Sequence, residues 1–486
     1  MRFVLFALLC QLASALPNQD SNPIVKTSVG TYTGIVNSSA PHVREFLGIR
    51  YAYPPVEDLR FAAPQKLDAT SNDTFDATHY APSCPQPRTT TPFIGNQVLP
   101  EITINGPISD DCLALNVFTP VGAKNLPVLV FLPGGGFKTG GTNVDYQWPG
   151  HWVERTQGHI VVSINYRLNI FGFPNAAGLT EQNVGILDQR AGLEWVRDNI
   201  HAFGGDPSKI TLMGQSAGAA SADAHNFAYW QDPIYTGFFG MSGTVFIGAL
   251  PNDVEHTNFS FVAENAGCNI SVPEAQLACM RLIPHTRITD FTQSYSEGAA
   301  SAGPLSFLPV PDEKVMFSNY TERYALGKVS DRPATFSTCE NEGASQVAYN
   351  VAGSDQALAE QVTLDMFQCP AVLSTNLRSA FNLTTYRYLY SGNFSNVSTL
   401  PWLGAYHGSD VPMLFGTHQD HANGQGPSTE LEYETSEKMR DFLMAFMRDP
   451  HVGLEAEGWQ SEMLRFGADG TAVQQIPTEF VDQSCA

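Results

Sequence analysis

The run Gly214-Gln215-Ser216-Ala217-Gly218 sets a serine between two glycines, where the apolar stretch 210–213 gives way to an Ala-rich one. That order reads as strand, sharp turn and helix, the G-x-S-x-G arrangement that stands a hydroxyl exposed above a sheet. The chemistry on offer is nucleophilic attack. A serine hydroxyl is a weak nucleophile near neutral pH, so it needs an imidazole at hand to take its proton. Glycines are required because the turn strains the serine backbone, and side chains at Gly214 and Gly218 would strike the neighbouring strand and helix. The same five residues also fit an ordinary tight strand-to-helix turn. The surrounding elements and partner residues must decide between the two.

The elements around the motif are those of a parallel sheet. Leu126–Leu132 and Ile160–Ile164 are Val- and Ile-rich runs without alternation, as strands buried on both faces should be. Residues 183–200 carry helical spacing through Ile186, Leu187, Leu193, Val196 and Ile200, and stop at Gly204-Gly205. Strand, helix and strand in succession imply βαβ units with right-handed crossovers. An opening hairpin is expected over 25–36, a late strand over 387–390 and an amphipathic helix over 430–447. Residues 222–335 are less regular and read as insertions over one end of the sheet. No internal repeat, linker or low-complexity run divides the chain, so a single domain over 16–486 is expected.

Composition narrows the function classes. The 486 residues are 43% hydrophobic and 11% aromatic, ample for a large core. A net charge of −22 argues against nucleic acid or an anionic membrane as partner, because both would be repelled. Residues 1–15 resemble a secretory signal: Arg2, then an apolar core, then Ala13-Ser14-Ala15. The apolar core is too short to cross a bilayer, and the C-terminal tail carries no lipid-anchor signal. A secreted, extracellular protein without a transmembrane anchor is therefore expected. Glycosylation sequons at Asn37, Asn72, Asn258, Asn269, Asn319, Asn382, Asn393 and Asn396 agree with that compartment. Once Cys10 leaves with the signal, the remaining cysteines are odd in number, so at least one is free or intermolecular. Neither C-x-x-C nor H-E-x-x-H is present, so neither a metal nor another cofactor is expected.

Several stretches share one order with a known family. They are Phe46-Leu-Gly-Ile-Arg-Tyr-Ala with Leu59-Arg60-Phe61, Asp110-Asp-Cys-Leu-Ala-Leu-Asn-Val117 and Pro133-Gly-Gly-Gly-Phe137. Asn165-Tyr-Arg, Leu187-Asp-Gln, Trp195-Val-Arg-Asp-Asn-Ile200, Phe203-Gly-Gly-Asp-Pro207 and the serine motif follow. Together they resemble the type-B carboxylesterase/lipase family, the cholinesterase-like α/β-hydrolases that include secreted fungal esterases and lipases. The resemblance implies an α/β-hydrolase fold: a central, largely parallel mixed sheet flanked by helices, with inserted helical and loop cap regions. Three features depart from the family pattern. Gln215 replaces the usual Glu, Pro133 stands where His or Tyr is common before the glycines, and the chain is shorter than most relatives.

The resemblance also implies a catalytic set, in the chain order serine, acid, histidine. His407, in Tyr406-His-Gly-Ser-Asp-Val-Pro-Met-Leu-Phe-Gly416, matches the family's base, whereas His418 and His421 read as a solvated loop and His451 as surface. Glu342 matches the acid followed by glycine; Glu340, two residues away, would point the opposite way on an extended segment. Ser216 attacks, His407 takes its proton, and Glu342 orients the imidazole and stabilises its cation. Gly134-Gly135-Gly136 fails the phosphate-loop pattern because Thr139 stands where a third glycine belongs. It suits an oxyanion hole built from the N–H groups of Gly135, Gly136 and Ala217. Ser242 resembles the family's second serine, which bonds near the acid; an ordinary strand-end serine is the alternative. By the same resemblance Arg60 pairs with Asp110, Arg167 with Asp188, Cys84 with Cys112 and Cys268 with Cys279. Cys369–Cys485 would then leave Cys339 free.

The implied substrate is a small-molecule or lipid carboxylic ester. Choline selectivity is disfavoured, because residues 85–111 hold no Trp to face a cation. A lipase would want an apolar lid in that loop, where Phe93, Ile94, Val98, Leu99, Ile102 and Ile104 are interrupted by polar residues and Pro. A general esterase is the first reading and a triacylglycerol lipase the second. A non-catalytic adhesion or binding relative stands last, since such proteins usually lose the serine.

Overall fold

A computed structural model describes residues 22–69, 73–247, 253, 255–298, 305–459 and 463–485. The signal-like segment 1–15 and Asn72 lie outside the described residues. In chain order the strands are β1 (Ile24–Thr27), β2 (Gly30–Thr33), β3 (Ile35–Val36), β4 (Val43–Arg50), β5 (Thr74–Asp76), β6 (Ala114–Pro120) and β7 (Leu126–Leu132). They continue as β8 (Ile160–Ile164), β9 (Gly205–Gln215), β10 (Gly237–Met241), β11 (Ala334–Cys339), β12 (Thr385–Tyr390), β13 (Met463–Ala468) and β14 (Thr471–Ile476). Eleven of them form one sheet in the order β14-β13-β12-β11-β10-β9-β7-β8-β6-β4-β3, and β1-β2-β5 form a small second sheet. From β8 across to β13 the neighbours run parallel; β14 at one edge and β6, β4 and β3 at the other run antiparallel. This is the mixed, largely parallel α/β-hydrolase sheet.

Both faces of that sheet are covered, which is why its central strands lack alternation. Val128, Val130, Leu132, Val162 and Leu212 pack on one face against Leu193, Trp195 and Val196 of the helix Val184–Asn199. Leu129, Phe131, Val161 and Met213 point the other way, into Met439, Leu443, Phe446 and Met447 of the helix Glu430–Arg448. That helix opens with a capping box, in which Thr429 and Glu432 each bond the other's backbone N–H at 3.2 Å. The irregular-looking middle of the chain contains the helices Thr257–Asn265, Pro273–Leu282, His285–Gly298 and Tyr320–Ala325. The first three pack around Phe61, Phe171 and Phe259, and Cys268–Cys279 ties the end of the first to the second.

The cysteine pattern resolves as Cys84–Cys112, Cys268–Cys279 and Cys369–Cys485, with Cys339 free and buried. Two sequence expectations need correction. His418 is not in a solvated loop: it is buried, with Nδ1 2.9 Å from Ser428 Oγ and 3.3 Å from the buried Glu432 carboxylate. Asn396 is also interior, its Nδ2 donating to His418 O at 2.9 Å and Ser428 Oγ at 3.1 Å, so it has no amide free for a glycan. Asn269, Asn319, Asn382 and Asn393 are exposed, and Asn37 and Asn258 are half-buried.

Two ion pairs fix loops under the active end of the sheet. Arg60 reaches Asp110 at 2.7 Å. Arg167, 2% exposed, grips the fully buried Asp188 in fork geometry, with Nε at 2.8 Å, Nη2 at 2.7 Å and its own backbone N–H at 3.0 Å. Removing one partner strands the other charge where water cannot reach it, typically at a cost of about 3–5 kcal/mol. Asp188→Ala should therefore unfold at a markedly lower urea midpoint than wild type, whereas Asp111→Ala, which unpairs the half-exposed Arg50, should barely move it. Equal midpoints for the two variants would contradict this reading.

Candidate active site

β7, β9 and β10 are adjacent, and their C-terminal ends converge on Ser216. A Cβ added at Gly214 would lie 2.0 Å from Gly218 O, and one at Gly218 the same distance from Leu132 O at the end of β7. One at Gly243, beyond β10, would lie 2.3 Å from Ser216 O. Ser216 itself holds φ 57° and ψ −122°, backbone space that costs a side-chain-bearing residue about 1–3 kcal/mol. The conformation is held by Ser216 N donating to Met241 O at 2.7 Å and by Ala220 N donating to Ser216 O at 2.9 Å. Ser216 is therefore the first residue of a turn, followed at once by the helix Ala217–Ala228.

Glu342 and His407 come from separate loops, after β11 and β12. The structure brings them together: His407 Nδ1 lies 2.6 Å from Glu342 Oε2, with the carboxylate fully buried. Glu342 Oε1 accepts the Cys339 N–H at 2.7 Å, so both oxygens are fixed. Asn341, which sequence reasoning passed over, stitches the two loops. Its N–H donates to Ala405 O at 2.9 Å, and its side chain donates to Leu403 O at 2.9 Å and Trp402 O at 3.2 Å. Phe367 covers the imidazole with ring centres 4.5 Å apart. Glu340 turns outward to Arg465 at 2.9 Å, as expected for the residue two places away.

With Nδ1–H donated to Glu342, His407 Nε2 carries the lone pair. Its neighbour is the Gln215 amide, Nε2 to Nε2 3.3 Å, and a hydrogen bond to Ser216 Oγ is not formed in this geometry. Contacts of this kind commonly tighten only in the substrate complex. Gln215 is thus more than a tolerated departure: a neutral amide donates to the lone pair that the serine proton would use, where Glu would set a second anion beside the ring.

The glycine triplet follows β7. Gly135 and Gly136 have φ +120° and +62°, and a Cβ on Gly136 would meet nothing within 4 Å, so space lies open before it. The N–H groups of Gly135, Gly136 and Ala217 donate to no other protein atom among the described residues. Pro133 O, just ahead, accepts Tyr166 Oη at 2.7 Å. An apolar cluster of Phe137, Tyr166, Leu168, Phe173, Ala217 and Met316 adjoins these donors.

Behind the Glu342–His407 pair lies a buried polar group of Cys339, Ser242, Asp410 and Tyr388. Ser242 faces Cys339 Sγ at 4.0 Å, so its partner is the thiol beside the acid. Burial pushes the Cys339 thiol well above its usual range, leaving it neutral. Asp410, three residues after His407, is fully buried and touches Tyr388 Oη at 3.3 Å; its Oδ1 finds no partner on another residue. Burial, and then the Glu342 charge, raise its pKa to about 7. A lone carboxylate amid Val-Pro-Met-Leu-Phe was the sequence signal for it.

Residues 21–361 match the Carboxylesterase family. The chain belongs to the carboxylesterase family. Its relatives include a chlorogenic acid esterase of Aspergillus niger, 42% identical over 91% of this chain and 87% of that protein. Secreted lipase 5 of Gibberella zeae is 37% identical over 98% of this chain and 96% of the other, and an acetylcholinesterase of Bungarus fasciatus is 28% identical over 91% and 81%. This is a carboxylic-ester hydrolase of that family. Among the described residues no helix is long and apolar enough to cross a membrane.

Asp410 generates a pH prediction. Its folded pKa of about 7 lies above the ordinary 3.8 of an exposed aspartate, so its burial is free of penalty below pH 4 and costs stability increasingly as pH rises toward 7. Asp410→Asn keeps a partner for Tyr388 and cannot ionise. Its Tm relative to wild type should climb between pH 4 and 7 and level off above; a pH-independent difference would contradict the assignment.

Proposed function

We propose that this enzyme hydrolyses esters through an acyl intermediate on Ser216, with His407 as base and Glu342 as its orienting acid. His407 takes the Ser216 proton as Oγ attacks the ester carbonyl, then passes it to the departing alcohol. Gly135, Gly136 and Ala217 donate to the oxygen that becomes negative, each such donor typically worth about 10²–10³ in kcat. Water, deprotonated by the same imidazole, then attacks the acyl carbon; the bond to Ser216 Oγ breaks, Oγ recovers the proton from His407, and the acid leaves. The observation that carries the reading is the 2.6 Å contact between His407 and the buried Glu342 at the end of the sheet that presents Ser216. Three disulfides among the described residues support an oxidising, extracellular setting.

For substrate, the first reading is a dissolved ester; the buried Phe137–Phe173–Met316 cluster beside Ala217 backs the site with apolar side chains, which suits an apolar or aromatic acyl group. The A. niger relative's name, chlorogenic acid esterase, points the same way. A lipase is the second reading, favoured by the G. zeae relative. Against it, Ile94 and Leu99 of the Cys84–Cys112 loop are buried in the main core with Phe118, Tyr146 and Trp152. They are not stacked on the cluster beside Ala217, where the apolar underside of an interfacial lid belongs.

Initial rates decide. Wild type should hydrolyse p-nitrophenyl butyrate and chlorogenic acid with simple saturation, and its rate on tributyrin should show no jump at the solubility limit. Ser216→Ala should lose roughly 10⁴- to 10⁶-fold in kcat with an unchanged Tm. A jump at the oil interface would favour the lipase, and full activity in Ser216→Ala would remove the serine mechanism.

A further inference from the structure

The turn that carries Gly135 and Gly136 has neither a sheet partner nor a helix to brace it, yet its N–H groups must aim within a fraction of an ångström. Part of the bracing is internal. Gly135 O accepts the N–H groups of Lys138 and Thr139, both at 3.0 Å. In a trans peptide the carbonyl and the next N–H point opposite ways, so fixing Gly135 O fixes the direction of the Gly136 N–H. The turn then closes on itself without side chains between: a Cβ at Gly135 would lie 2.0 Å from Thr139 O, and one at Gly140 would lie 2.3 Å from Gly134 O. Whatever holds Gly140 therefore holds the back of the Gly134–Gly135 peptide.

Gln86 holds it. This residue is 4% exposed and sits two places after Cys84, outside the turn altogether. Its Oε1 accepts Gly140 N–H at 2.9 Å and its Nε2 donates to Gly140 O at 2.7 Å, the double pairing that one strand offers another. The second Nε2 hydrogen goes to Cys84 O at 3.0 Å. A flipped amide would set donor against donor and acceptor against acceptor, so the orientation is determined. Around this clasp, Asn169 Nδ2 joins Pro85 O at 2.8 Å to Lys138 O at 3.2 Å, and Asn169 N–H donates to Phe137 O at 2.7 Å. The foot of the Cys84–Cys112 loop, tied by its disulfide, thus lies against the outer wall of the turn.

We propose that Gln86 is a positioning residue for ester hydrolysis: its buried side-chain amide, clasping both polar groups of Gly140, sets the aim of the oxyanion donors Gly135 and Gly136. The inference rests on the reading of those glycines given above. It makes the Cys84–Cys112 loop a part of the rate as well as a boundary for substrate. Removing the amide leaves the part-buried Gly140 N–H and C=O without their partner, and the turn relaxes toward new ones. A misplacement on the order of 1 Å is enough for about a 10²-fold loss.

The test uses the full-length enzyme and a trifluoromethyl ketone, whose hemiketal adduct with a serine bears an oxyanion. Gln86→Met, of similar shape but without the amide, should lower kcat about 10- to 100-fold with KM within about twofold, and weaken the ketone by the same factor. The pH midpoint of kcat/KM should not move, because His407 is untouched. Gln86→Glu provides an independent reading. Its neutral carboxyl can donate to Gly140 O and accept Gly140 N–H, giving up only the second donation to Cys84 O, whereas its anion cannot donate at all, so its kcat relative to wild type should rise as pH falls. The inference is overturned if Gln86→Met loses less than twofold in kcat per folded molecule, if kcat falls while the ketone binds as in wild type, or if the Gln86→Glu ratio is flat with pH. Should Gln86→Met fail to fold, the Gln86→Glu ratio decides alone. A wild type that hydrolyses esters but does not bind the ketone contradicts the oxyanion reading of Gly135 and Gly136, and this inference with it. Tight wild-type binding with an unaffected Gln86→Met contradicts only the role of Gln86.

Discussion

The active end of this enzyme depends on a packing constraint: three strand ends meet where no β-carbon fits. Gly214, Gly218 and Gly243 each bring backbone to within van der Waals distance of backbone, around a serine in a conformation that side-chain-bearing residues avoid. Nothing in the serine's own chemistry demands that conformation. It is imposed by β7, β9 and β10, buried on both faces, and by the helix that must start at Ala217. The strain is affordable because a large core over-determines the backbone around it. What results is a nucleophile held at the strand ends, itself only 7% exposed, beside N–H groups that have no acceptor among the described residues.

The acid and base are held by a different logic. Glu342 and His407 sit on loops that belong to no shared element, and the union rests on polar contacts that are individually modest. Asn341 joins the loops, Cys339 N–H fixes the carboxylate, and Phe367 closes the ring from water. The electrostatic surroundings are kept sparse in charge. Asp410 is raised toward neutrality, Cys339 is neutral, and Gln215 presents a neutral amide to the ring. Glu342 is thereby the anion in direct contact with the imidazole, which suits a ring that must gain and lose a proton in each half of the cycle.

Much of this was legible in the sequence, for reasons that are physical. The two-sided burial of Leu126–Leu132 and Ile160–Ile164 is written in their unbroken apolar runs, and those strands end where expected. The glycines of the serine turn are legible because no other residue fits. The helix starting at Glu430 is legible from its period. Contacts between distant stretches were legible only where the family resemblance supplied them. His418 stands in a polar sequence yet is interior, because Ser428, just before the next long helix, and Glu432, in its first turn, satisfy it. Asn396 satisfies every rule for a glycan acceptor and is turned inward to His418 O. The resemblance set Ser242 near the acid without naming its partner, which is the thiol of Cys339, the residue whose N–H holds Glu342. Gln86 and Asn341 carry no signal in type or neighbourhood; their importance is that of the backbone they hold.

The central claim is that Ser216, activated by His407, is the attacking group. Incubation with a fluorophosphonate, followed by mass mapping of the peptides, tests it most directly. The account requires one stoichiometric adduct, on the peptide that carries Ser216, forming in step with loss of esterase activity. Full inactivation with the adduct on another residue, or undiminished activity with Ser216 fully labelled, would contradict it.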